Sequence, residues 1–274
     1  MEPRTCGELA GVEPEGVVDP QDLPKLYGNV ANKVSGLTSD TVDCYVWADG
    51  ISGKVDKCQF VDRSEGLCPT VRCPDLEPGD EFLVNGVLYT KRDETELRAI
   101  VDDPDEWYKL PTSCTTDVTN MNSLFANLAD PFNEDISSWD TSAVTNMGSM
   151  FVRATAFNQD IGCWDTSAVE YMSYMFLGAT VFNRDISTWN TSAVEYMSYM
   201  FQLAPAFNQD ISGWNTSAVT HMGGMFDGAE AFNQDLTSWD AANVQFCFDF
   251  CLDAGFSSPA KIPSFPICSE GTGC

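Results

Sequence analysis

The chain is 274 residues long, 43% apolar and strongly acidic, with 41 Asp and Glu against 14 Lys and Arg and a net charge of −27. An excess of this size repels nucleic acid and anionic membrane surfaces and argues against a polyanion partner. Eleven cysteines are many for a cytosolic chain and point to an oxidising compartment, and the length suits one elongated domain with a smaller one attached.

Residues 1–78 are rich in Gly, Pro and Cys and read as an irregular, disulfide-held N-terminal module. The start of the chain carries no charged-then-apolar leader pattern, so a secreted protein would have its leader outside this sequence. No stretch reaches transmembrane length. Residues 79–113 read as a cap. Two apolar runs around Asn85-Gly86, from Glu81 to Thr90, predict a β-hairpin with a type I′ turn. Thr95 to Val101 predicts a short helix, followed by the acidic run Asp102 to Glu106.

From 114 to 250 the chain repeats a unit of 25 residues. Its markers are Phe-Asn-x-Asp-Ile/Leu-x-x-Trp, ending at Trp139, Trp164, Trp189, Trp214 and Trp239, and Thr-Ser-Ala-Val-x-x-Met-x-x-Met-Phe, as in Thr166 to Phe176. A fixed period of this kind predicts a solenoid, in which each unit buries its apolar face against its neighbours. Ser167 and Glu170 fit a capping box, which predicts a helix from Ala168 to Gly178 with Val169, Met172 and Phe176 on its buried face. Phe157 to Ile161 predicts a short strand or bent rung. The expected fold class is therefore α/β: a right-handed, leucine-rich-repeat-like solenoid of helix-plus-short-strand units behind a small disulfide-rich module with a β-hairpin. The first unit carries one extra residue before Phe132, and the last places Cys247 and Cys251 at apolar positions.

Residues 251–274 read as a C-terminal cap held by Cys268 and Cys274. Six cysteines precede the repeats (Cys6, Cys44, Cys58, Cys68, Cys73, Cys114), four follow them, and Cys163 sits alone in the variable slot ahead of a tryptophan. That distribution predicts three disulfides in front, two behind and one spare thiol. A metal site at Cys68 and Cys73, or at Cys247 and Cys251, is the alternative, although His221 is the only histidine.

The run Cys114-Thr-Thr-Asp-Val-Thr-Asn-Met121, the recurring Phe-Asn-Gln-Asp-Ile and Trp-Asp markers, and the hairpin leading to Tyr89 together resemble the BspA-like leucine-rich-repeat surface proteins. Related 25-residue repeats occur in mycoplasma surface lipoproteins. The resemblance covers roughly residues 79 to 250. It departs from the family pattern in having Asp/Asn-Thr-Ser after tryptophan, and it does not extend to the cysteine-rich N-terminus. It implies a secreted or surface-displayed protein used in attachment or recognition, and it supplies no catalytic residues.

Candidate functional residues follow from what varies between units. Tyr171, Tyr174, Tyr196 and Tyr199 stand beside Glu170 and Glu195, where other units have Asn146, Ser149, His221 and Gly224. Stacked units would gather these phenols into a patch for an extracellular protein or a carbohydrate; equally, the rings could fill gaps between neighbouring units. The column Asp135, Asp160, Asp185, Asp210 and Asp235 could form local turns or hold Ca²⁺. The column Thr141, Thr166, Thr191 and Thr216 could cap local structure or present an ice-ordering ladder. Asn190 and Asn215 begin glycosylation sequons that fall in the repeated turn. There is no phosphate loop, nucleophile elbow or zinc-protease motif, so the chain does not read as an enzyme and no cofactor or metal is expected. The expected function is recognition or adhesion by a monomer; the alternative is a spacer segment of a larger surface protein without a ligand of its own.

Overall fold

A computed structural model describes residues 44–47, 57–58, 70–84, 86–266 and 274. Most of the 1–78 module, Asn85, Cys6, Cys68 and Cys268 lie outside the described residues. Strand β1 (Cys44–Trp47) pairs antiparallel with β2 (Lys57–Cys58) and with β3 (Glu81–Val84), and β3 pairs with β4 (Val87–Lys91) as a hairpin. Val84 faces Val87 across a two-residue loop whose Gly86 has φ 79°, a left-handed position that glycine takes without a steric penalty. The hairpin read from the Asn-Gly step is present. Helix α1 (Glu94–Val101) follows, closed by a capping box in which Asp93 accepts from the Glu96 N–H and Glu96 returns to the Asp93 N–H. A 3₁₀ stretch, Pro104–Thr112, leads to β5 (Ser113–Cys114), which pairs parallel with β4. A disulfide between Cys73 and Cys114 ties the segment entering the hairpin to this edge.

The repeats take neither the helix nor the strand that their spacing predicts. Parallel bridges run Asn120↔Asn146↔Tyr171↔Tyr196↔His221↔Phe246, so each unit hydrogen-bonds to the next. The segment 168–178 is a rung of that ladder. Its N–H groups at Met172, Tyr174, Phe176 and Gly178 donate to Tyr196 O, Ser198 O, Met200 O and Gln202 O at 2.9, 2.9, 2.9 and 2.8 Å. The N–H groups between them close tight turns, Met175 to Met172 O, Leu177 to Tyr174 O and Ala179 to Phe176 O. A turn every few residues mimics helical spacing, which is why Val169, Met172 and Phe176 looked like one helix face. The helix is excluded sterically: Tyr174 has φ 63° and Gly178 φ 68°, and left-handed residues recur at Ser149, Arg153, Tyr199, Leu203, Gly224 and Gly228. Ser167 makes no helix cap; it donates to Asp165 Oδ1, and the Glu170 N–H goes to Thr145 O.

Inside the ladder run columns of aromatic rings. Phe125, Phe151, Phe176, Phe201 and Phe226 stack at 5.5, 5.5, 5.6 and 5.7 Å between centroids. Each also lies on the Phe of its own Phe-Asn marker at 3.9–4.1 Å, as Phe201 does on Phe207. All ten rings are essentially inaccessible to solvent, and burying each contributes roughly 1.5–3 kcal/mol. The tryptophans form a second column; Trp139 donates its indole N–H to Leu110 O of the cap, and each later one to a carbonyl of the preceding unit, as Trp189 does to Ile161 O at 3.0 Å and Trp214 to Ile186 O at 3.1 Å. This satisfies the single polar atom of a buried indole.

The polar positions that recur in every unit hold the units in register. Each marker asparagine accepts the N–H of its successor at 2.9–3.0 Å: Asn133 from Asn158, Asn158 from Asn183, Asn183 from Asn208 and Asn208 from Asn233. The slot after each asparagine supplies a long donor to the asparagine carbonyl of the preceding unit, from Gln159, Arg184, Gln209 and Gln234, and Lys261 completes the series on Asn233. No strand forms at 157–161, because side-chain bonds replace a backbone ladder there.

The threonine column points inward. Thr141, Thr166, Thr191 and Thr216 are each 1% exposed and donate to Asp165 O, Asn190 O, Asn215 O and Asp240 O. These threonines therefore cannot present an ice-ordering surface. Thr191→Val keeps the shape and leaves the Asn215 carbonyl without its partner, so a loss of about 1–2 kcal/mol in urea denaturation is expected.

The cysteine reading needs one correction. Cys251 pairs with Cys274, and Cys247 is also disulfide-bonded, so the C-terminal cap is covalently closed onto the last rung. Cys163 is disulfide-bonded too and is not a spare thiol. With Cys73, Cys247 and Cys251 all oxidised, the metal alternative at these positions falls away.

Candidate recognition face

On the bridged edge of the ladder the side chains point alternately into the core and out to solvent. Met147, Met172, Met197 and Met222 are buried, and the residues just before them are outward. This places Tyr171 over Tyr196 at 4.6 Å and 3° between ring planes, with Tyr196 over His221 at 4.9 Å and His221 over Phe246 at 4.3 Å. A second column begins three residues along each rung, where Tyr174 stacks on Tyr199 at 4.9 Å and Tyr199 meets the Phe248 edge at 6.1 Å. Tyr171 is 41% exposed, Tyr174 40% and Phe246 43%. The four tyrosines singled out from sequence are therefore brought together, on a rung rather than on a helix. They pack against each other and also face solvent.

Glu170 and Glu195 are exposed next to the first column. The Tyr196 phenol, then desolvation and the charges of Glu170 and Glu195, push the Tyr171 phenol above the ordinary tyrosine value. Desolvation first, then Tyr174 and the carboxylates of Asp249 and Asp227, push Tyr199 up as well. Carboxylates thus border the strip on both margins.

Sequence reasoning missed Phe246 and Phe248, and the room that Gly224 leaves for Tyr199 and Gly223 for Phe248. A Cβ on Gly224 would lie 2.4 Å from the Tyr199 ring, and one on Gly223 would lie 3.0 Å from Phe248. The rings rest on bare backbone. The 25-residue register carried past Met222 to Cys247 was the available signal, obscured by the change of residue type.

The aspartate column is accounted for locally. Asp135, Asp160, Asp185, Asp210 and Asp235 each accept from the N–H two residues on at 2.9–3.1 Å. Bonds from Ser187, Ser212 and Thr237 hold Asp185, Asp210 and Asp235 below the usual carboxylate range. A carboxyl depressed in the folded state adds stability above its unfolded value and loses it as pH falls through the folded one. Melting temperature should therefore fall as pH drops below about 4, modestly because these groups are largely solvent-screened. Asn190 and Asn215 fill the equivalent slot after tryptophan, each accepting from the N–H two residues on, so the fold explains both sequons.

A cleft of about 450 Å³ lies between the cap and the first unit, lined by Pro74, Leu76, Lys91, Arg92 and Asp117 among others. Its buried Lys91 is engaged, with Nζ 2.6 Å from Asp117 and 3.3 Å from Cys73 O.

The architecture and this face define a tandem-repeat protein whose 25-residue units join through parallel backbone hydrogen bonds. The chain belongs to the family described as "Mycoplasma protein of unknown function, DUF285", which it matches over residues 102–202 and 162–258. Neither the curated proteins nor the solved structures contain a match. Among the described residues no helix is long and apolar enough to cross a membrane.

Proposed function

We propose that this protein is a recognition or adhesion module displayed outside the cell, built as a right-handed, leucine-rich-repeat-like solenoid of the BspA kind, that binds an extracellular protein or glycan through its ladder face. One observation carries the reading: seven rings, from Tyr171 to Phe248, are gathered on one outward face with several substantially exposed. Exposed aromatic clusters of this kind supply anchors at interfaces. Disulfides at both ends of the repeats support an oxidising location. A spacer without a ligand is the second reading, favoured by the mutual stacking of the same rings.

The test is binding of the oxidised protein to a glycan and extracellular-protein array, beside the Tyr171/Tyr174/Tyr196/Tyr199→Ala variant, with folding checked by circular dichroism. Saturable binding lost in the folded variant is expected. Binding kept by the variant contradicts a site on this face, and silence from both proteins supports the spacer.

A further inference from the structure

The recognition reading leaves the chemistry of the ligand open, and the inference here rests on that reading. We propose that the aromatic strip takes a basic, extended segment of a partner protein, its Lys or Arg head groups paired with Glu170, Glu195 and Asp249 and their aliphatic stems laid across the ring edges.

The first observation is ring orientation. Tyr171, Tyr196, His221 and Phe246 lie face to face at 4.6, 4.9 and 4.3 Å, and Tyr174 lies on Tyr199 at 4.9 Å. Their faces are occupied by one another, and what solvent meets is a row of edges. A pyranose ring packs its C–H groups on a free aromatic face, of which the columns offer only the terminal ones. The long stems of Lys and Arg pack on edges as readily, with the charged head reaching beyond.

The second observation is unbalanced charge. The repeat half carries 18 Asp and Glu and three Lys and Arg after Thr116. All three cations bond oxygens of a preceding unit rather than these carboxylates: Arg184 with Asn158 O at 2.6 Å, Lys261 with Asn233 O at 2.7 Å and Arg153 with Asn127 Oδ1 at 3.4 Å. Among the described residues Glu170, Glu195 and Asp249 join no ion pair. Carboxylates on both margins of an apolar strip, without internal counter-charge, favour a cationic occupant and raise its rate of encounter.

The third is shape. Along each rung Ser173, Ser198 and Gly223 separate the two ring columns, and Phe248 lies over Gly223. With rungs about 4.8 Å apart, the strip from Tyr171 to Phe246 is roughly 14 Å long, which matches four to five residues of extended chain.

The experiment titrates the full oxidised chain, at physiological salt, with a blocked 12-residue peptide alternating arginine and valine, and with a serine–valine peptide of the same length. Glu170→Gln/Glu195→Gln/Asp249→Asn is compared with Asp130→Asn/Glu134→Gln/Glu230→Gln, which removes the same charge from other edges. Asn at 249 keeps its left-handed backbone (φ 52°) acceptable. The expected result is binding of the arginine peptide alone, weakened about tenfold or more by the first set and under about threefold by the second, which removes none of the three carboxylates assigned to the peptide's head groups. Tyr171→Ala/Tyr196→Ala should weaken it comparably. Equal losses in both charge sets, or full binding by the tyrosine variant, would overturn the proposal in favour of a diffuse acidic surface. So would the absence of any binding of the arginine peptide. If an array ligand needs the tyrosines and ignores the first charge set, the basic partner falls while the recognition face stands.

Discussion

Phe201→Ala is expected to destabilise the protein by about 4 kcal/mol, the middle of the range for truncating a buried phenylalanine. Phe201 is wholly buried inside a five-ring column, 5.6 Å from Phe176, 5.7 Å from Phe226, 3.9 Å from Phe207 and 6.3 Å from Trp214. Its loss removes a transfer contribution and leaves a void that flanking rings cannot fill, because each is held by its own unit's backbone bonds. The position matters more than in a globular core. Each unit contacts only its neighbours, so a hole in the middle weakens the coupling between the two halves of the array. Urea denaturation followed by tryptophan fluorescence should shift to lower midpoint and broaden, while Phe201→Leu, which keeps most of the volume, should shift much less. A midpoint unchanged in Phe201→Ala would contradict the stacked core.

The second large effect is expected at the N-terminal cap. Cys73 and Cys114 are 3% and 0% exposed and close a loop of 41 residues that contains the β3–β4 hairpin and α1. Cross-linking a loop of that length stabilises by about 4 kcal/mol on the chain-entropy account. Cys73→Ala/Cys114→Ala should therefore lose roughly that amount. The loss should be concentrated at the cap, where Leu97, Ile100 and Val101 belong to the same buried apolar cluster as Met121, Leu124 and Phe125 of the first rung. Amide exchange in α1 is the appropriate measurement, since it reports local opening. Protection unchanged in α1 would show that apolar packing alone holds the cap.

Much of this architecture was legible before any coordinates. The period, the hairpin, α1, the extra residue ahead of Phe132 and a disulfide-held C-terminal cap all follow from local signals that the fold obeys, whereas the pairing of Cys251 with Cys274 does not. The helix at 168–178 was misread for a physical reason: successive tight turns bury residues at a three-to-four spacing, and only the left-handed φ at Tyr174 and its counterparts distinguishes them from a helix. Residues other than glycine at those positions give no warning in the sequence. The spare-thiol reading of Cys163 failed because pairing depends on which segments meet in space. The tyrosines were found because they break the repeat. Phe246 and Phe248 were missed because they lie in the one unit whose apolar markers change to cysteine.

The measurement that bears most directly on the recognition face is hydroxyl-radical footprinting of the oxidised protein, with and without the tightest ligand taken from the array. Protection of Tyr171, Tyr174 and Phe246, which are 40–43% exposed in the free protein, with Tyr108 at 67% exposure left unprotected, is the predicted result. Protection elsewhere, with the three strip residues oxidised as before, would contradict it and move the binding surface off the ladder face.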